Sequence, residues 1–218
     1  MNDKISRLQK ALNLWAVILI IWSIYRANLK MPEWFDEFIA KPLVFVLPVL
    51  FFVKKIERLT LFNALWIDFK KLVGDFLLAV FIGVIFFSTA ILASYLKYKK
   101  ILFPLLTIKI DNLLLLISIA LATGISEEIL SRGFILKRLY EDSKNILSAS
   151  FLASILFFFL HVPILFTNIK ITGNLLLFFM LTDLILSLFC SFVFLIRKSL
   201  FLPIFIHALY NITLLLFI

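Results

Sequence analysis

A small set of ionisable side chains interrupts long apolar runs, where a charge at the centre of a lone membrane helix costs about 2.5–3.5 kcal/mol. The chain has two histidines, and both lie in such runs, ILFFFLHVPILF and FLPIFIHALYNITLLLF. A third run, LLLLISIALATGISEEILSRGFIL, contains two adjacent glutamates. The full set is Glu127, Glu128, Arg132, His161, Asp183 and His207, with Asn211 as a neutral companion. Groups that are so costly to bury indicate a functional site.

Helical spacing separates the roles that these groups could have. Glu128 and Arg132 are four residues apart with the acid first, which is the favoured order for an ion pair on one helix face. Glu127 points about 100° away, because an α-helix has 3.6 residues per turn. The spacing therefore predicts a structural ion pair and a separate Glu127 that is free to face the bundle interior. His207 and Asn211 are also four residues apart, so both can point to one place.

A carboxylate and two imidazoles that meet in a poorly hydrated cavity can do two kinds of chemistry. Glu127, His161 and His207 could hold a divalent metal, because two His and one Glu with an open fourth position suit catalytic zinc. Alternatively, Glu127 could act on water directly as a base, while His and Asn side chains stabilise a developing oxyanion. Either arrangement predicts the hydrolysis of an acyl bond.

Membrane helices are predicted to carry these groups. Of the 218 residues, 63% are hydrophobic, and the mean hydropathy is +1.11. The apolar residues form long blocks, and a spanning helix needs about 20 of them. We therefore predict an all-α, polytopic transmembrane helical bundle of about seven spans, with one integral membrane domain over 1–218 and a motif-bearing core at about 112–218.

The predicted spans are 11–25, 36–53, 73–96, 112–136, 145–166, 175–196 and 199–218. Segment 54–72 mixes apolar and charged residues, which predicts an amphipathic helix in the interface.

The positive charge has a pattern that is typical of membrane proteins. The formal net charge is +9, and short basic clusters separate the apolar blocks: Lys54, Lys55 and Arg58, then Lys70 and Lys71, then Lys97, Lys99 and Lys100. Such clusters set topology and attract anionic lipid. The expected location is the cell membrane, as a multi-pass protein in contact with the lipid bilayer, and no nucleic-acid partner is expected.

Three short motifs resemble those of one protease family. EEILSRG at 127–133 fits EExxxR, Phe157 to His161 fits FxxxH, and His207 to Asn211 fits HxxxN, in this order and on separate predicted helices. Together they resemble the type II CAAX prenyl endopeptidase and bacteriocin-processing family, also called CPBP or Abi intramembrane proteases. The resemblance implies an endopeptidase that acts on a membrane-embedded or lipidated peptide. This family has been described both as metalloproteases and as glutamate-dependent proteases.

The resemblance also implies roles for the motif residues. Glu127 would be the catalytic glutamate, with His161 as its partner in polarising the attacking water. His207 and Asn211 would form the oxyanion site or complete a metal site. The supporting residues would be Glu128 and Arg132, which steady the first motif, and Phe157, which packs beside the site. Segment 175–196 departs from the family pattern, since it is rich in Phe and Leu and contains Asp183, which is either a local addition or a lumen-facing residue.

Two other functions remain as alternatives. The chain could be a non-catalytic bacteriocin-immunity or scaffold membrane protein of the same fold, which would have no need of costly buried charges. It could also be a small transporter with Glu127 as a proton relay, although such folds often show repeated halves. The sequence has five glycines and no internal repeat, which disfavours the transporter.

Overall fold

The computed structural model describes residues 6–99, 108–167 and 173–217, and every regular element in these ranges is helical. The elements in chain order are α1 (Arg7–Asn28), α2 (33–57), α3 (Leu61–Leu65), α4 (Phe69–Tyr98), α5 (Ile110–Ser143), α6 (Ile146–Thr167), α7 (Gly173–Arg197) and α8 (Phe201–Phe217). The prediction of an all-α helical bundle is therefore confirmed.

Five helices in the described ranges are long and apolar enough to cross a membrane. They are Arg7–Asn28, Phe69–Tyr98, Ile110–Ser143, Ile146–Pro163 and Met180–Arg197. They coincide with the predicted spans 11–25, 73–96, 112–136, 145–166 and 175–196. The two other predicted spans, 36–53 and 199–218, fall on α2 and on α8, an apolar helix of 17 residues that is shorter than the five.

The outer surface of α4 shows what surrounds the bundle. Its apolar stretch has a mean hydropathy of 2.7, and Val73, Leu77 and Phe81 are exposed to 69%, 62% and 66%. A continuous apolar surface of this kind is stable against lipid rather than against water. The chain is therefore a membrane protein.

The prediction of one amphipathic helix over 54–72 is wrong. In its place, α2 ends at Glu57, the short α3 follows, and α4 begins at Phe69. Arg58 and Trp66 have left-handed backbone with φ of 57° and 55°, which stops a right-handed helix at each point. The Trp66 carbonyl then accepts a 3.0 Å hydrogen bond from the Leu200 amide, and this bond fastens the segment to the start of α8.

Two helices contain wide, π-type turns. In α2 two of these turns lie at Asp36–Ala40 and Pro42–Val46, on either side of Lys41, and a third lies at Phe52–Glu57. In α5 one spans Ile129–Leu136, directly after Glu128. π-turns are rare in proteins and occur frequently at functional sites. Both helices are therefore irregular next to the charged residues that they bury.

Close packing of α5 against α8 brings two of the predicted motifs together. Gly124 lies one turn before Glu128 on α5, and a Cβ atom placed there would be 3.0 Å from the Ile204 carbonyl oxygen and 3.6 Å from the Ala208 backbone nitrogen. The absence of a side chain at Gly124 thus lets the backbones of the two helices approach. This contact places the acidic pair of α5 beside His207 of α8.

Candidate active site

Glu127 lies at the centre of the candidate site, buried with 4% of its surface exposed. Its Oε2 atom is 3.6 Å from His161 Nε2 and 3.7 Å from His207 Nε2. No described residue forms a hydrogen bond with this oxygen. The other oxygen, Oε1, accepts a 2.7 Å hydrogen bond from Lys41 Nζ. The structure therefore brings together the carboxylate and both imidazoles that the sequence singled out.

The opposite nitrogen of each imidazole fixes the direction of its ring. His207 Nδ1 is 2.8 Å from Glu128 Oε1, and His161 Nδ1 is 3.2 Å from the Phe157 carbonyl oxygen. Because a carboxylate and a carbonyl can only accept, each ring donates through Nδ1–H. In a neutral ring the Nε2 atom then carries a lone pair. Two lone pairs and one carboxylate oxygen thus face a common point beside Glu127.

Glu128 and Arg132 form the predicted ion pair, with Nη1 2.8 Å from Oε1. Nη2 of Arg132 also donates to the carbonyl and hydroxyl oxygens of Ser187, at 3.1 and 2.9 Å, and the guanidinium lies 4.4 Å from the centre of the Phe157 ring. The pair therefore joins α5 to α6 and α7. The sequence did not reveal the second contact of Glu128, its bond to His207.

Asp183 and Asn211 are the remaining polar residues that the sequence placed at membrane depth. Asp183 Oδ2 is 3.3 Å from His161 Nδ1, so the residue that the sequence left without a role lies against an imidazole of the site. Asn211 follows His207 by one turn and is partly buried. Within the described ranges the side-chain amide of Asn211 has no hydrogen-bond partner, which leaves its N–H groups available to a ligand.

Lys41 is a site residue that the sequence analysis did not identify. The residue is 5% exposed, and its Nζ atom lies 2.6 Å from Glu37 Oε1 and 2.7 Å from Glu127 Oε1. A signal was present in the sequence, since Glu37 and Lys41 are four residues apart and border an apolar run. What the sequence could not supply was the partner, 86 positions away.

A resident divalent metal held by Glu127, His161 and His207 does not fit this arrangement. The Lys41 ammonium already places a positive charge against Glu127, and at this distance it would repel a second cation. Among the residues that the structure describes, no group of three or more His, Cys, Asp and Glu side chains is placed to hold a metal ion. The site therefore gives no support to the metal alternative.

Comparison with known proteins assigns the class of the motif-bearing helices. Residues 109–213 match the family described as Type II CAAX prenyl endopeptidase Rce1-like. This match confirms the resemblance to CPBP intramembrane proteases. The matched residues include Glu127, His161, His207 and Asn211, whereas Lys41 lies outside them. No curated protein and no solved structure matches the chain.

Proposed function

We propose that the protein is a CAAX-type intramembrane endopeptidase that hydrolyses a peptide bond of a membrane-associated or prenylated peptide through a water activated by Glu127. The observation that carries the proposal is the approach of Glu127 Oε2 to both imidazole Nε2 atoms, at 3.6 and 3.7 Å. The family of residues 109–213 supports the same reaction. We further propose that the protein is a multi-pass protein of the cell membrane, since five of its helices are long enough to span it.

The spacing of the three acceptors suits a water molecule between them. Direct hydrogen bonds between nitrogen and oxygen are about 2.7–3.2 Å long, so 3.6 and 3.7 Å are too long for such bonds. A water can bridge groups at such separations. It would donate one hydrogen to Glu127 Oε2 and the other to His161 Nε2, with an oxygen lone pair left for attack.

The chemical step then follows from the atoms around this water. Glu127 takes one proton as the water oxygen bonds to the carbonyl carbon, and the carbonyl oxygen becomes an oxyanion. In this proposal the Asn211 amide donates to that oxyanion, and His207 adds a second donor when its Nε2 is protonated. The proton on Glu127 passes to the peptide nitrogen, the C–N bond breaks, and a carboxylic acid and an amine leave.

The residues behind His207 hold its ring in place. Arg132 fixes Glu128 by an ion pair, and Glu128 accepts from His207 Nδ1. These two contacts keep His207 Nε2 directed at Glu127. A productive geometry within about 0.5 Å requires such support from residues that do not touch the substrate.

The experiment that tests this function uses the full chain in lipid nanodiscs with a prenylated CAAX peptide, and follows release of the C-terminal fragment by mass spectrometry. Glu127→Gln should lower turnover at least about 100-fold, because it removes the general base. Asp111→Asn makes the same chemical change at an exposed site on the same helix and should leave turnover unaltered. Unchanged turnover in Glu127→Gln would overturn the role of Glu127, and no turnover in the wild type would favour the non-catalytic alternative.

A further inference from the structure

We infer that Lys41 is a positioning residue for the catalytic glutamate, an assignment that rests on the proposed function. Lys41 belongs to α2 and lies outside the family-matched residues 109–213. Its ammonium binds Oε1 of Glu127 and thereby selects Oε2 as the oxygen that faces His161 and His207.

The contact between Lys41 and Glu127 restricts the rotation of the Glu127 carboxylate about its last side-chain torsion. Lys41 Nζ lies 2.7 Å from Oε1, and hydrogen bonds between ionised partners are roughly twice as strong as neutral ones. Without this bond the carboxylate of Glu127 can rotate about its last torsion, which is broad for Glu. The oxygen facing the two imidazoles would then no longer be fixed.

A second carboxylate holds Lys41 itself. Glu37 Oε1 is 2.6 Å from Lys41 Nζ, and Glu37 Oε2 accepts a 2.7 Å hydrogen bond from the Thr123 hydroxyl. Thr123 and Glu127 are one turn apart on α5, so the bonds run from α5 to α2 and back. This closed arrangement leaves the ammonium little freedom, and it sets α2 against the motif-bearing helix.

The backbone around Lys41 accommodates the contact. Wide turns at Asp36–Ala40 and Pro42–Val46 flank the residue. Pro42 has no N–H group, so it cannot make the usual helical hydrogen bond at that point. The irregular helix allows Glu37 and Lys41 to turn together toward α5.

A cavity gives access to this arrangement from the side of α1 and α2. It has a volume of about 320 Å³, and its lining includes Trp22, Arg26, Glu37 and Lys41. A small amine that enters it would reach the place of the Lys41 side chain. This makes chemical rescue possible: in Lys41→Ala, propylammonium replaces the atoms that were removed.

The first experiment compares turnover of the prenylated CAAX peptide in nanodiscs. Lys41→Ala should lower kcat about 100-fold with KM within about threefold, because the residue orients the base and does not bind substrate. Propylammonium should raise the kcat of Lys41→Ala at least about tenfold. Lys137→Ala is the matched control, since Lys137 is also buried but its Nζ donates to the carbonyls of Asn63 and Ala64. It should keep kcat and gain nothing from the amine.

A double variant separates positioning from folding. Lys41→Ala with Glu37→Gln preserves the net charge of the cluster, and so relieves the uncompensated buried acid that makes the single variant unstable. If Lys41 positions Glu127, the double variant folds, remains slow and still responds to propylammonium. Wild-type kcat in the double variant would show a purely structural role and would overturn the inference.

The contact can also be tested without any activity. A carbodiimide activates a carboxyl group, and a lysine in contact with it attacks as the free amine, forming an amide and releasing a urea. The wild-type chain should therefore give Lys41–Glu37 and Lys41–Glu127 cross-links in peptide maps. A Lys41–Glu37 cross-link without the Lys41–Glu127 one would overturn the inference even if the protein cleaves no peptide. If both cross-links form and no peptide is cleaved, the contact stands and the proposed function fails.

Discussion

His207 Nδ1 lies 2.8 Å from Glu128 Oε1, so the second acid of the adjacent pair, and not the first, orients the imidazole of α8. The same oxygen is 2.8 Å from Arg132 Nη1. Glu128 therefore links the ion pair of the first motif to the histidine of the third. In the proposed reaction the two adjacent carboxylates therefore have separate tasks, with Glu127 acting on the water and Glu128 supporting His207.

Removing the charge of Glu128 should affect both stability and activity. Glu128→Leu leaves Arg132 buried without its partner, and breaking a buried ion pair in this way costs about 3–5 kcal/mol. The loss should appear as a lower Tm together with a fall in kcat.

The double variant Glu128→Leu with Arg132→Met separates these two effects. Replacing both partners by apolar residues is often close to neutral for stability, so Tm should return toward the wild-type value. Turnover should stay low, because His207 still lacks the acceptor for its Nδ1–H. Recovery of full turnover would show that Glu128 serves Arg132 alone.

The local part of this arrangement was predictable, and the long-range part was not. The Glu128–Arg132 pair follows from residues four apart on one helix, and the five long spans follow from the length of their apolar runs. The contact of Glu128 with His207 joins residues 79 positions apart, and that of Lys41 with Glu127 joins residues 86 apart. Pairings of this kind depend on how helices pack, which periodicity does not specify.

The wrong prediction of one helix over 54–72 also has a physical cause. Mixed apolar and charged residues over 54–72 predicted one helix, but the left-handed backbone at Arg58 and Trp66 divides the segment. That conformation is unfavourable for residues other than Gly, and no glycine marks either position. Hydrophobic pattern alone could not reveal these two breaks, because it does not report on backbone conformation.

Asp183 should contribute to turnover through His161. Its Oδ2 atom lies 3.3 Å from His161 Nδ1, which also has the Phe157 carbonyl as a partner at 3.2 Å. Because that second acceptor remains, Asp183→Ala should lower kcat by about 3- to 10-fold, less than the loss of a general base. Kinetics with the prenylated peptide measure the effect, and Asp111→Ala provides a control at an exposed acid. Equal kcat in the wild type and Asp183→Ala would leave Asp183 without a part in the reaction.

Gly124 should be sensitive to any added side chain. A Cβ atom there would lie 3.0 Å from the Ile204 carbonyl oxygen, so Gly124→Val must push α5 away from α8, at a cost of about 1–3 kcal/mol. The separation also weakens the bond between Glu128 and His207, so Tm and kcat should fall together. In the control Gly74→Ala, the new Cβ atom would meet only the flexible end of Arg197, at 3.4 Å. A Gly124→Val variant with normal Tm and kcat would contradict the close approach of these helices.

The charge of Lys41 leads to a prediction about metal content. Because the ammonium lies 2.7 Å from Glu127, a divalent ion between Glu127, His161 and His207 would meet a positive charge at the same carboxylate. The purified protein should therefore contain less than about 0.1 zinc per chain and keep its turnover within about twofold in a chelator. Lys41→Ala removes the repulsion and should bind zinc more tightly than the wild type in a competition titration. One zinc per wild-type chain, with turnover lost in chelator and restored by zinc, would show that a metal shares the site and that the ammonium moves to admit it.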